Sequence, residues 1–441
     1  MKVDQGKSAK CRLTLMILLI LFCFRLYGHA QVQNDGLSGA DAHEDISSSR
    51  QHFLGGWGGR RKDLEVKGVT CDLQYIADHL WNVRSAEKTR LADWNRVRGT
   101  VNIDLGSLAG AHGLYFHITG LWQGGGNLGT YLGAIASPSG MSSGNTFRLD
   151  SYWLEQRFDH ELFVVRLGQF AGEDFYGAQH EATSFIIEPL GYAMGNLGAN
   201  YESFDPPSTP AAEVRVSPSE HFYVKSMVFA ADREPYGHNP TGFVPQFRGA
   251  VMTASEIGWS PGQSAKDVRS FDTVQSREGY SGLYQLGGTY NPGKFPSTSS
   301  SAPVSGNYVI YGMASQALSR QADRPGTGLD ATVSANWSPA DRSRRNQELT
   351  AGLRYNELLP LPLHWHNTVS VGYVRSGVNY PGEAGSVLLA QHRSAEHVVE
   401  LNALIKPTGW LLLQPVAQHF FNIGAKTGDA TVVGFRSKVD F

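Results

Sequence analysis

Residues 431–441 read TVVGFRSKVDF, and their character alternates without a break. Val433, Phe435, Val439 and Phe441 fall on one side; Gly434, Arg436, Lys438 and Asp440 fall on the other. Successive side chains of a strand point to opposite faces, so this stretch presents one apolar and one charged face. Edge strands of soluble sheets are usually blunted or covered. A strand that closes a membrane barrel has neighbours on both sides and lipid against its apolar face. The segment therefore predicts the closing strand of a transmembrane β-barrel.

The same two-residue period recurs upstream, with sixteen candidate strands between Val69 and Phe441. In the second, Val97, Val101, Ile103 and Leu105 oppose Arg96, Arg98, Thr100, Asn102 and Asp104; in the twelfth, Leu349, Leu353 and Tyr355 oppose Glu348, Thr350, Arg354 and Asn356. Near the end, Val399, Leu401, Ala403 and Ile405 alternate with Glu400 and Asn402, and Leu411, Leu413 and Phe421 with Gln414, Gln418 and Asn422. Faces so regularly charged need water beside them. A soluble sandwich would alternate in the same way, so periodicity alone leaves the lipid face open. Connection lengths favour the barrel. One set is short, as at 158–161, 218–220 and 406–409, and the other is long, as at 125–146, 171–210, 231–249 and 379–395. That is the asymmetry of short periplasmic turns and long outer or pore-folding loops. Residues 261–281 break the rule, being long on the short side. Either the count slips there or a turn is elaborated.

Composition agrees with an exported barrel. Lys2, Lys7, Lys10 and Arg12 precede the apolar run Leu13 to Phe24, and Gly28-His29-Ala30 offers a small-x-small cleavage site, so residues 1–30 are expected to be a signal peptide. The run is shorter than the roughly 20 residues of a spanning helix. Residues 31–68 are expected to be a flexible segment with a short periplasmic element, and 69–441 the barrel. A negative mean hydropathy of -0.27 excludes a helical membrane protein and leaves a barrel with a polar lumen. Cys11 and Cys23 lie in the leader, which leaves Cys71 alone and no internal disulfide. A formal net charge of -2 offers no attraction for nucleic acid.

Trp57-Gly58-Gly59-Arg60-Arg61, followed by Leu64 and Gly68, resembles the opening of the carbohydrate-selective porin family (OprB-type) of Gram-negative outer membranes. Tyr152-Trp153-Leu154-Glu155-Gln156 and Arg166-Leu167-Gly168-Gln169 resemble two of that family's strands. Val399-Glu400-Leu401, Trp410-Leu411-Leu412-Leu413-Gln414-Pro415, Gln418, Gly434-Phe435-Arg436 and Phe441 resemble its ending. The likeness departs at His419 to Gly424, where the family often has an Asn-Pro-Gly turn, and at Gly172-Glu173-Asp174-Phe175. The resemblance implies a sixteen-stranded antiparallel porin in the outer membrane that passes mono- or disaccharides. It also implies contact with outer-membrane lipid and recognition of Phe441 by the barrel-assembly machinery. Copies of such barrels can associate, but no sequence feature fixes a trimer over a monomer.

Sugars are neutral, polyhydroxylated and apolar on their ring faces. A narrow point selective for them needs hydrogen-bonding side chains beside aromatic planes. The lumen-facing phase nominates Arg98, Glu155, Arg157, Arg166, Gln414 and Gln418. Trp153 is nominated as a stacking surface, and Glu173 and Asp174 at the base of a long loop. Each could equally be ordinary wet wall. Chemistry of other kinds finds little support. Gly124-Gly125-Gly126 lacks a following helix and Lys, so a loop hinge suits it better than a phosphate cradle. His364 and His366 flank Trp365 with no third ligand nearby, which suits a membrane interface better than a metal site. No cofactor is expected. An outer-membrane barrel enzyme such as a lipid hydrolase, and a secreted glycan-binding β-protein, are the competing readings; no Ser/His/acid set can be assembled for the former.

Overall fold

A computed structural model describes residues 51–441 apart from 86, 142, 176, 180–183, 192–206, 263–279, 298–299, 325, 363 and 380–393. The expected leader, and residues 31–50 of the segment after it, lie outside the described residues. From Val69 onward the chain forms sixteen strands that close into one antiparallel barrel, each paired with its sequence neighbours. They are β1 (Val69–Arg84), β2 (Arg90–Asp104), β3 (Leu114–Gly125), β4 (Thr146–Phe158), β5 (Phe163–Phe170), β6 (Thr209–Ser219), β7 (Phe222–Ala231) and β8 (Ala250–Trp259). The second half holds β9 (Gly282–Phe295), β10 (Val304–Ala317), β11 (Gly328–Trp337), β12 (Arg345–Asn356), β13 (His366–Val378), β14 (Ala395–Lys406), β15 (Leu411–Phe421) and β16 (Ala430–Asp440).

Closure satisfies every edge. The stretch read first is β16, which pairs with β15 on one side and β1 on the other, in a register that sets Gln74 opposite Asp440 and Asp78 opposite Arg436. Arg436 makes a bidentate pair with Asp78, at 2.7 and 2.8 Å, across this seam. A short helix, Arg60–Val66, lies at the end where the chain enters β1. Arg61 from that helix donates to the carbonyls of Cys71 and Phe441, at 3.0 and 2.8 Å, and Phe53 packs edge-on against Trp410 and Phe441. The Trp57 to Arg61 stretch thus belongs to a clasp over the seam.

The two phases separate as alternation requires. On β14, Leu401 is 55% exposed on the outer face while Glu400 and Asn402 point inward and are buried. Val399, Leu349, Leu353, Leu413 and Phe435 are likewise exposed, and Glu348, Thr350, Arg354, Gln414 and Gln418 buried. No described helix is long and apolar enough to cross a membrane. The strand count does not slip at the long connection, since β8 ends at Trp259 and β9 begins at Gly282; residues 263–279 between them lie outside the described residues. The glycine run 124–126 is in fact followed by a helix, Leu128–Leu132, with Asn127 accepting the Thr130 amide as its cap. That helix has five residues and no Lys, and it turns a loop into the lumen.

Depth should decide what a charge costs. Leu401→Arg, on the outer face near mid-strand, should lower barrel stability by roughly 2 to 4 kcal/mol; Val101→Arg, on the outer face but three residues from the end of β2, should cost less, and Thr100→Arg, facing the lumen, should cost little. Unfolding in detergent or lipid checks this. Asn402 is no neutral control, because its amide donates to Glu400 at 2.7 Å in a buried site.

Candidate functional site

A sixteen-stranded barrel leaves a wide lumen unless something fills it. Two loops do so. The described parts of the β3–β4 loop (126–145) and of the β5–β6 loop (171–208) fold inward and pair with each other. The Gly140 amide donates to the Ile186 carbonyl at 2.9 Å, the Glu188 amide to the Ser137 carbonyl at 3.0 Å, and the Ser137 amide to the Glu188 carboxylate at 3.1 Å. Burial of Glu188, partly opposed by nearby Arg345, pushes its carboxyl above the usual range.

Wall carboxylates seat both loops. Glu400 on β14 accepts the Ile186 and Ile187 amides, both at 2.9 Å, and Glu396 on the same strand accepts those of Ile135 and Ala136. Glu256 on β8 accepts the Gly177 amide at 2.8 Å together with the hydroxyls of Tyr223 and Tyr311. Ser139 reaches Asp78 at 2.6 Å, so the seam carboxylate holds a loop as well. Backbone amides bonded to carboxylates are charge-assisted, and they dispose of donors that loop burial would otherwise strand.

Apolar packing completes the seat. Phe185, Ile186, Ile187 and Leu190 cluster with Leu128, Leu132 and Ala136 against the inward side chains of Leu80, Val374, Val398, Val416, Phe420 and Val432. Gly352 and Gly372 face each other across β12 and β13, where a Cβ on Gly352 would lie 2.8 Å from Phe185 and one on Gly372 would collide with Leu190. Strand glycines of this kind mark the close approach of another chain segment.

On the opposite wall stands a row of charge. Glu155, Arg166 and Glu213 are direct cross-strand partners on β4, β5 and β6. Arg166 bonds Glu213 at 2.8 Å and also Glu155, while Arg157 bonds Glu155 at 2.6 Å. The Arg166 guanidinium lies 4.8 Å from the Trp153 ring centroid and 3.8 Å from that of Phe175, which the inward loop supplies. Trp153 stacks on His117 of β3 at 4.6 Å, nearly parallel at 6°. His117 in turn pairs with Asn102 at 2.6 Å and Thr119 at 2.9 Å. A bulge opposite Thr119 and Gly120 sets both Asp150 and Ser151 inward and keeps Trp153, Glu155 and Arg157 in the lumen phase. The arrangement offers a guanidinium, carboxylates and aromatic planes side by side, which matches the amphipathic surface of a sugar.

The nominated residues thus divide. Arg166, Glu155, Arg157 and Trp153 come together in one cluster, although Arg166 is covered by its partners and the Trp153 ring is flanked by His117 and Arg166 rather than bare. Arg98 faces the lumen on β2, two residues along the strand from Arg96. Gln414 and Gln418 serve the loops. Their amides donate to the carbonyls of Ser184 and Pro138, at 2.7 and 2.8 Å, and both side chains are buried. Asp174 sits in a short turn at the loop's start, its amide on the Ala171 carbonyl; the Glu173 side chain lies outside the described residues. Sequence reasoning missed His117, Glu213 and Phe175 at the cluster, and Glu256, Glu396 and Glu400 as loop seats. A signal existed for the seats: Val374, Val398, Val416, Phe420 and Val432 make the lumen phase of β13–β16 apolar near one end, which water alone would not favour.

The profile described as "Carbohydrate-selective porin, OprB family" matches residues 88–441. The chain belongs to that family. Porin B of Pseudomonas aeruginosa is 26% identical over 273 residues, 58% of this chain and 56% of that protein, so the chain spans about half the length of this curated relative. The structure of Pseudomonas putida OprB at high pH superposes with a TM-score of 0.78 at 19% identity, covering 89% of this chain and 98% of that one. Salmonella typhi OmpF superposes with a TM-score of 0.51 at 9% identity over 85% and 98%. These likenesses establish the porin fold. Within it, the inward loops narrow the lumen.

Unseating a loop should widen the lumen. Glu400→Gln removes the anionic acceptor of two amides, and Gly372→Leu pushes against Leu190. Either should raise single-channel conductance in planar bilayers while leaving the barrel folded, and unchanged conductance in both would show that the loop does not set the bore.

Proposed function

We propose that the protein is a passive outer-membrane channel for small sugars, mono- or disaccharides, with its selectivity set by the cluster around Arg166. The observation that carries this reading is the Glu155–Arg166–Glu213 row meeting Trp153 and loop residue Phe175 inside a barrel of the carbohydrate-selective porin family. Family and fold point to a channel rather than an enzyme. Paired charges suit a neutral solute, because a hydroxyl can exchange with either partner while no large single-signed field is left to hold an ion in the path. Export through a leader cleaved after Ala30 belongs to the same proposal. Planar-bilayer recordings test it: glucose or a disaccharide should reduce ion current in a concentration-dependent way, and an uncharged solute lacking hydroxyls should not.

Arg166→Ala leaves Glu155 and Glu213 facing each other without their shared cation. Sugar block should weaken by on the order of 1 to 3 kcal/mol, the worth of charge-assisted hydrogen bonds, and the reversal potential should move toward cation preference. Unaltered block and unaltered reversal potential together would return Arg166 to the ordinary wall.

Phe441 is proposed to serve assembly. Its ring meets Phe53, its amide donates to the Leu73 carbonyl at 2.8 Å, and no observation links it to the solute path. Recognition of this terminal aromatic by the barrel-assembly machinery would make Phe441→Ala lower the amount of folded barrel in the outer membrane without changing conductance of the molecules that fold. Normal folded levels on a heat-modifiability gel would count against that role.

A further inference from the structure

The lipid-facing phase of β13 carries a cation. Arg375 stands opposite Leu349 of β12 and His397 of β14 in the cross-strand register, within an outer face that holds Val371, Leu349, Val399 and Leu401, all exposed. Its one hydrogen bond to the described residues is from Nη1 to the Gln347 side-chain oxygen, long at 3.4 Å, and no carboxylate among the described residues pairs with it. Elsewhere on the same outer surface a polar group finds its partner within the wall, as where His79 meets Asp93 at 2.7 Å.

Depth says what surrounds this guanidinium. Arg375 lies three residues before the loop end of β13, and Trp81 and Trp122 lie three residues before the loop ends of β1 and β3. Trp337, exposed, ends β11 at the same rim. Outward Trp and Tyr at one level mark the membrane–water interface, where lipid headgroups sit. Tyr373, two residues deeper on the outer phase, bonds His397 at 2.8 Å, which adds an imidazole beside Arg375. Gly377 leaves room for the guanidinium against the wall, for a Cβ there would lie 3.2 Å from Arg375 Nη1. A charged group at the bilayer surface with no counter-ion among the described residues calls for an anion from the lipid.

We infer that Arg375, with His397 and Gln347, binds the phosphate of a phosphorylated lipid in the leaflet around the loop end of the barrel. Planar guanidinium donors match phosphate oxygens, the Tyr373 hydroxyl fixes the imidazole, and the flanking Val371, Val399 and Leu401 meet the acyl chains. The inference does not rest on sugar passage.

Native mass spectrometry of the detergent-purified barrel tests it, with bisphosphoryl lipid A as probe and its dephosphorylated form as control. The wild-type protein should retain the phosphorylated lipid in preference to the control. Arg375→Gln should weaken that retention about tenfold or more, since a charge-assisted contact is worth more than 1.4 kcal/mol. Arg375→Lys should restore part of it, and Lys294→Gln, at the same rim on β9, should leave it unchanged. Heat-modifiable migration shows that each variant is folded. Equal retention of the two lipids by wild type, or undiminished retention by folded Arg375→Gln, overturns the site.

Discussion

Two carboxylates on one strand, Glu396 and Glu400, hold backbone amides of two loops inside the barrel, and the character of the channel follows from that. A loop drawn out of water into a lumen must find acceptors for its N–H groups or forfeit a few kcal/mol for each. Sheet walls cannot supply them from the backbone, because every backbone group of a closed barrel is already engaged with a neighbouring strand. Side chains must. A carboxylate can accept several amides at once, so a single Glu replaces much of the lost water. Glu400 accepts from Ile186, Ile187, Gln418 and Asn402 together.

The lumen is accordingly built in two halves with different physics. Along β13–β16 the wall is apolar where loop side chains rest on it, and carboxylates and glutamines set among its polar residues grip the loop backbone. Along β4–β8 charge stands beside an apolar cluster that includes Phe170, Met227, Phe229 and Met252, with Arg166 shared between Glu155 and Glu213 and Lys225 paired with Glu256 at 2.9 Å. The loop joins the halves. Its Ile186 and Ile187 amides are fixed by one wall, and its Phe175 ring covers the guanidinium of the other. Wide charged walls with a packed partition make a narrow path without a narrow barrel.

The barrel itself was legible because its strands obey a period of two imposed by lipid outside and water within. Val97 against Arg98, or Leu401 against Asn402, is enough to phase a strand. The cluster was partly legible for the same reason: Glu155, Arg157 and Arg166 lie in the charged phase of recognisable strands. What the period does not encode is which distant strand segment a loop will touch. Gln414 and Gln418 look like any polar lumen residues, and only the three-dimensional course of residues 135–141 and 184–190 turns them into loop anchors. Phe175 escaped because it lies outside any strand. Gly352 and Gly372 carried a signal of close approach, yet glycine is so common in this chain, with 50 residues, that two of them do not stand out.

Asp78 joins events that would otherwise be separate. One carboxylate receives Arg436 across the β1–β16 seam and Ser139 from a loop that begins after β3, three strands of wall away from β16. Before β1 and β16 meet, Asp78 lacks its guanidinium and the loop lacks a fixed foothold at that point. The narrowing of the path is therefore coupled to completion of the cylinder. A molecule left open at this seam would lack the Asp78–Arg436 pair and with it part of the loop's support, because the residue that finishes the wall also helps to set the gap.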